Sequence, residues 1–256
     1  MNNTTYKGFD EFGNQIRLPV DLERKLNVPY YRLLRRTELV TKWKIPKVSC
    51  NTQIMPDFIG NITNQEDFHF SAFTAVGFYG YDDEIDPIDG LYNAIEHDSK
   101  QLLLKYKKMF NGVRIFISPD YSAFSDWTLD KNIQQLKKSR IVALWLIFEC
   151  HAVVIPNLIY ISEETFPIFF AGLENCTVAA LSLKSHCHKD AEQTLTRAAV
   201  RYITDHTNIQ TLVVYSACRN ADKEQYLLQY AIDNGVRIVI PDNRIRRLHQ
   251  KEEGLL

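Results

Sequence analysis

Five short apolar runs, at 113–122, 153–157, 178–185, 212–216 and 237–242, each stop on a polar residue suited to catalysis or ligand binding. Runs of β-branched residues bounded by turn residues and separated by longer helical stretches are the mark of buried parallel strands in βαβ units. In such folds ligands sit at the carboxyl ends of the strands. The polar stops Asp120, Ser122, Asn157, Ser185, Ser216 and Asp242 are therefore expected around one cleft.

A further strand is expected at 70–81, ending in the acidic loop that holds Asp82, Asp83, Glu84, Asp86 and Asp89. Between the runs, apolar residues recur at helical spacing. Leu91, Ile95, Leu102, Leu103, Tyr106 and Phe110 predict one helix closed by Asn111-Gly112, and Ile133, Leu136, Val142 and Leu146 predict another. Helices are also expected at 190–205 and 222–233. The pattern predicts an α/β fold with a mainly parallel sheet of about six βα units, as an open sheet or an incomplete barrel.

Residues 1–66 differ from the rest. Pro19, Pro29, Pro46 and Pro56 interrupt them and no long apolar run occurs, so they are expected to form an irregular or helical segment ahead of an α/β domain at 67–256. Within 21–47 eight basic residues face three acidic ones, a local net charge of +5, with Tyr30, Tyr31 and Trp43 interleaved. That combination suits phosphate contact and base stacking, or docking on a host protein; it equally describes a solvated face whose stems pack on the core.

The chain as a whole has a formal net charge of −1, which gives no general support for polyanion binding. Five scattered cysteines without a C-x-x-C pair predict free thiols in a reducing cytoplasm. The most apolar window, 141–155, carries Glu149 and His151 and falls short of the roughly 20 apolar residues of a spanning helix, so no membrane role is expected. Phosphate loops, dinucleotide fingerprints and G-x-S-x-G elbows are missing.

Three motifs resemble those of an uncharacterised domain-of-unknown-function family of bacteria, phages and mobile elements: Ser118-Pro-Asp-Tyr-Ser122, Ile155-Pro-Asn157 and the acidic pair Asp82-Asp83. The resemblance spans about residues 70–242. It departs from the family pattern at Leu158, Ile159 and Tyr160, and at His186 and Ser216 where glycines are usual. The resemblance implies a strand-end site and a mobile-element context, without a defined chemistry.

Carboxylates converging from separate strand ends can hold Mg²⁺ or Mn²⁺ for phosphoester chemistry. Asp82, Asp83, Asp120 and Asp242 are the candidate ligands, with Asp120, Asp83 and His186 as candidate catalytic groups. Ser122, Asn157, Ser185 and Ser216 are candidates for orienting a phosphate-bearing small molecule or nucleic acid. His186, Cys187, His188 and Cys218 are a weaker candidate set for a soft metal. Asp120 also fits an Asx turn, because it follows Pro119 just past a strand.

Overall fold

The computed structural model describes the backbone at 6–9 and 15–18 and residues 29–184 and 189–252 in full. Its elements run in chain order from a hairpin of β1 (Tyr6–Phe9) and β2 (Gln15–Leu18), through the short helix α1 (Pro29–Leu34), to a second hairpin of β3 (Leu39–Val40) and β4 (Ile45–Pro46). Then follow β5 (Phe58–Asn61), β6 (Thr74–Gly77), α2 (Asp82–Ile85), α3 (Leu91–Glu96), α4 (Lys100–Met109) and β7 (Ile115–Ile117). The long helix α5 (Leu129–Cys150) leads to β8 (Val153–Ile155), the single turn α6 (Phe166–Phe169), β9 (Val178–Ser182) and α7 (Asp190–His206). The chain ends with β10 (Thr211–Tyr215), α8 (Ala221–Asp233), β11 (Arg237–Val239), β12 (Asp242–Asn243) and α9 (Arg244–Glu252).

Two parallel sheets, in the orders β12-β5-β6-β7-β8 and β11-β10-β9, meet at both edges. At one seam Asn157, just past β8, bridges to Ala180 of β9: Leu158 donates to the Ala180 carbonyl and Ala180 to that of Pro156, both at 2.8 Å. At the other, β11 and β12 are consecutive pieces of one run interrupted by Ile240-Pro241, and β12 pairs with β5. Proline has no N–H for the ladder, which accounts for the break. The sheet thus closes into a barrel of seven strand positions, all parallel.

Side chains fill the barrel. Ile59, Ala75, Ile115, Ile117, Ile155, Val178, Ala180 and Val213 form its interior, drawn from β5 to β10, with Val239 of β11 packed against them. Alternate residues of the same strands face outward, and the helices cover them. Val76 and Phe116 pack with α3, α4 and α5, while Ala179, Leu181, Leu212 and Val214 pack with α7 and α8. Helix α5 begins at Thr128, whose hydroxyl accepts from the Lys131 N–H at 3.4 Å, and ends at His151 in a left-handed conformation (φ 54°). Helix α8 ends before Gly235, whose φ of +79° favours glycine.

The α/β class and parallel strands agree with the sequence pattern, and among the described residues the elements of the amino-terminal region are short, one of them a barrel strand. That strand, β5, lacks a β-branched run and was not expected. The single helix expected from Leu91 to Phe110 is two, α3 and α4, because Asp98 takes a positive φ of 53° between them. Ile155 is fully buried in the barrel. Its replacement by Ala is expected to cost about 2–5 kcal/mol in urea unfolding, whereas the same change at Ile232, 41% exposed, should cost about 0.5 kcal/mol or less.

Candidate functional site

The loop after β7 crosses the barrel mouth as Ser118-Pro-Asp-Tyr-Ser122. Its backbone is tied to both neighbouring strands: Ser118 donates to the Ile155 carbonyl at 3.0 Å and Asp120 to that of Phe78 at 3.2 Å. Ser139 of α5 donates to the Pro119 carbonyl at 2.6 Å, and the buried Ser118 hydroxyl accepts from the Asn157 N–H at 2.8 Å. Proline at 119 and these four bonds fix the backbone at Asp120, whose side chain points into the mouth.

There its Oδ1 accepts from Asn157 Nδ2 at 2.8 Å, and Asn157 Oδ1 accepts from the Tyr79 hydroxyl at 3.4 Å. Burial pushes the Asp120 carboxyl up to about 7; the Asn157 hydrogen bond opposes the rise, the Asp82 charge adds to it, and Lys184 opposes it. Asp120 lines a cavity of about 310 Å³ with Ser122, Tyr81, Tyr160, Ser182 and Lys184. Tyr79, which also lines it, stacks on Tyr215 of the barrel interior at 4.0 Å, with planes 3° apart. Such a cavity, apolar below and with a few converging polar groups, has the general character of a small-molecule site.

A model of the family described as Domain of unknown function (DUF4417) matches residues 37–233, more than half of the chain. The chain belongs to the DUF4417 family. Neither a curated protein nor a solved structure matches it. The matched span of this DUF4417 chain contains every strand from β5 to β10 and all the cavity residues named above.

Of the residues singled out from the sequence, Asp120, Ser122 and Asn157 come together at the mouth. Asp82 lies beside them but holds the loop: its Oδ1 accepts from the Ser122 N–H at 2.8 Å and its Oδ2 from Gln135. Asp83 is exposed on α2, outside the cavity. Asp242 pairs with Phe58 at the start of β5 and forms an ion pair with Arg247 at 3.3 Å. The four aspartates therefore do not converge as a Mg²⁺ or Mn²⁺ ligand set, and no group of three or more potential ligands occurs among the described residues.

Ser216 is fully buried in the barrel wall, where its hydroxyl donates to Glu224, itself paired with Arg246 at 3.2 Å. It secures α8 and α9 to the end of β10 and does not reach the mouth. Ser185, His186, Cys187 and His188 lie outside the described residues. Cys50, Cys150 and Cys176 are free thiols as expected, but Cys218 is disulfide-bonded, which removes it as a metal ligand.

Lys184 and Tyr79 were not singled out from the sequence, and Tyr160 entered only as a departure from the family pattern. Lys184 stood in the same strand-end run as Ser185 and was overlooked.

Because the Asn157 amide stabilises the charged form of Asp120, Asn157→Leu is expected to move the Asp120 midpoint above about 7. A carboxyl-carbon NMR titration reads this directly, and Ser122→Ala should leave the midpoint in place.

Proposed function

We propose that this chain is an enzyme that binds a small polar molecule at the barrel mouth and uses Asp120 as its general acid and base. One observation supports this most: a single carboxyl, pushed up to about 7, on the wall of a cavity at the carboxyl ends of the strands. A group with a midpoint near the working pH both accepts and returns protons efficiently. Asn157 and the Ser118-Pro119 turn hold that carboxyl in place, and Ser122 and Ser182 offer hydroxyls along the same wall.

Lys184 sets the ligand class. It is the only cation lining the cavity among the described residues, so a ligand carrying a phosphate or carboxylate gains a partner there while its remainder lies against Tyr81 and Tyr160. Proton abstraction next to that anionic group is the chemistry for which this arrangement is suited. With only Asp120 among the four aspartates free to face the ligand, the reading does not depend on a divalent cation.

The test joins stability to turnover. In the folded protein Asp120 holds its proton up to about pH 7, whereas the unfolded chain releases it near 3.8. Stability from this group is therefore present below pH 4 and lost as pH rises to about 7. Asp120→Asn stays neutral throughout. The stability of Asp120→Asn relative to the natural chain should rise across that window and level off above it, approaching about 4 kcal/mol. Burial also pushes Asp86 up to about 6, and the variant keeps that contribution. In a screen of small phosphorylated and carboxylated compounds, turnover should be lost in Asp120→Asn. An Asp120 that titrates near 4, or a variant that is less stable at pH 8, would overturn the proposal.

A further inference from the structure

A second concave surface lies outside the barrel, between α1 and α4. It encloses about 450 Å³ over a floor that includes Trp145 and Glu149 of α5. Arg32 of α1 lines one wall; Lys100, Leu104 and Lys107 line the other. Positions 100, 104 and 107 fall on one stripe of α4 and span about 10 Å along its axis. The acids in the groove are Asp98 and Glu149. Lys107 bonds Glu149 at 2.8 Å and, of the three cations, is alone in having a carboxylate within ion-pair distance among the described residues.

The surplus of positive charge extends past the groove. Arg35 and Arg36 follow α1, and Lys105 and Lys108 lie on α4, which has four lysines and no acid. Asp89 meets Lys105 at 3.8 Å. Glu149 feels the surplus: the Lys107 hydrogen bond, and then the charges of Lys107, Arg32 and Arg36, outweigh its burial and hold its carboxyl below the usual range. On a chain of net charge −1 this is a segregated basic face.

Three features select the partner. The cations are strung along the groove and not gathered at one point, which suits a chain of phosphates better than a single anion. They line a concavity, which a flat lipid surface cannot enter. Leu104 is 54% exposed in the groove, and Tyr31, beside Arg32, is 42% exposed; both offer apolar or aromatic surface to an unstacked base. We propose that this groove binds single-stranded nucleic acid, with backbone phosphates on Arg32, Lys100 and Lys107.

Fluorescence anisotropy with a labelled oligothymidylate of about 12 nucleotides, over about 50 to 200 mM salt, tests this. Arg32 and Lys100 are both exposed, so Arg32→Gln with Lys100→Gln should leave the melting temperature unchanged. The pair is expected to weaken binding about tenfold and to lower the slope of log affinity against log salt by about 1.4, from two lost contacts at about 0.7 each. Arg197→Gln with Arg201→Gln, on α7, should change neither quantity. The proposal falls if the natural chain fails to bind, if the α7 pair weakens binding equally, or if duplex DNA, polyglutamate or anionic vesicles displace the oligonucleotide as well as unlabelled oligothymidylate does. Loss of binding here and loss of turnover at the mouth are separate readouts, so either proposal can fail alone.

Discussion

The grip of residues 156–158 on Ala180 decides both the shape of the sheet and the state of its central carboxyl. Without those two backbone hydrogen bonds β8 and β9 would be the exposed edges of two open sheets, each with unpaired N–H and C=O groups. With them the sheet closes, and Asn157 is held by its own backbone at the point where its side chain meets Asp120. Closure and positioning are thus one constraint. The neighbouring proline contributes by narrowing the conformations open to the chain before it is gripped.

The same closure creates the electrostatic cost carried at the mouth. A carboxyl among Tyr79, Tyr160 and Leu158 loses much of its hydration, and one amide hydrogen bond recovers only part of it. Other buried polar groups are better matched: Ser216, Glu224, Arg246 and Asn243 satisfy one another, and Asn132 clamps both backbone groups of Phe124, at 2.8 and 3.0 Å, whereas the terminal nitrogens of the buried Arg140 have no hydrogen-bond partner. Asp120 has one side-chain hydrogen-bond partner, Asn157, and lies on the wall of the cavity.

Much of this was legible in the residues. Strands β7, β8 and β10 announce themselves as apolar runs rich in β-branched residues, because each is covered on both faces and can carry no polar alternation. The turn at Ser118-Pro-Asp-Tyr-Ser122 and the Asn157 strand end follow from the same logic, and they did meet. Strand β5 stayed hidden because Phe-Ile-Gly-Asn has neither length nor periodicity; pairing with β6 and β12 makes it a strand. Asp242 was misplaced for a different reason. In a staggered barrel the end of one strand lies beside the beginning of the next, so a strand-end position in sequence need not be a mouth position in space. Ser216 reads as a ligand-binding serine until its partner Glu224, eight residues on, is seen to be buried with it.

The stacked pair Tyr79 and Tyr215 has one more consequence. It shuts the barrel interior just beneath the mouth, so nothing that enters can sink among the strands. Whatever distinguishes one guest from another must then be written in the rim, where the described residues lining the cavity come from the ends of β6, β7, β8 and β9 and the loops after them. Such a molecule can exchange its vocabulary of ligands by revising those four loops while the grammar of the scaffold stays as it is.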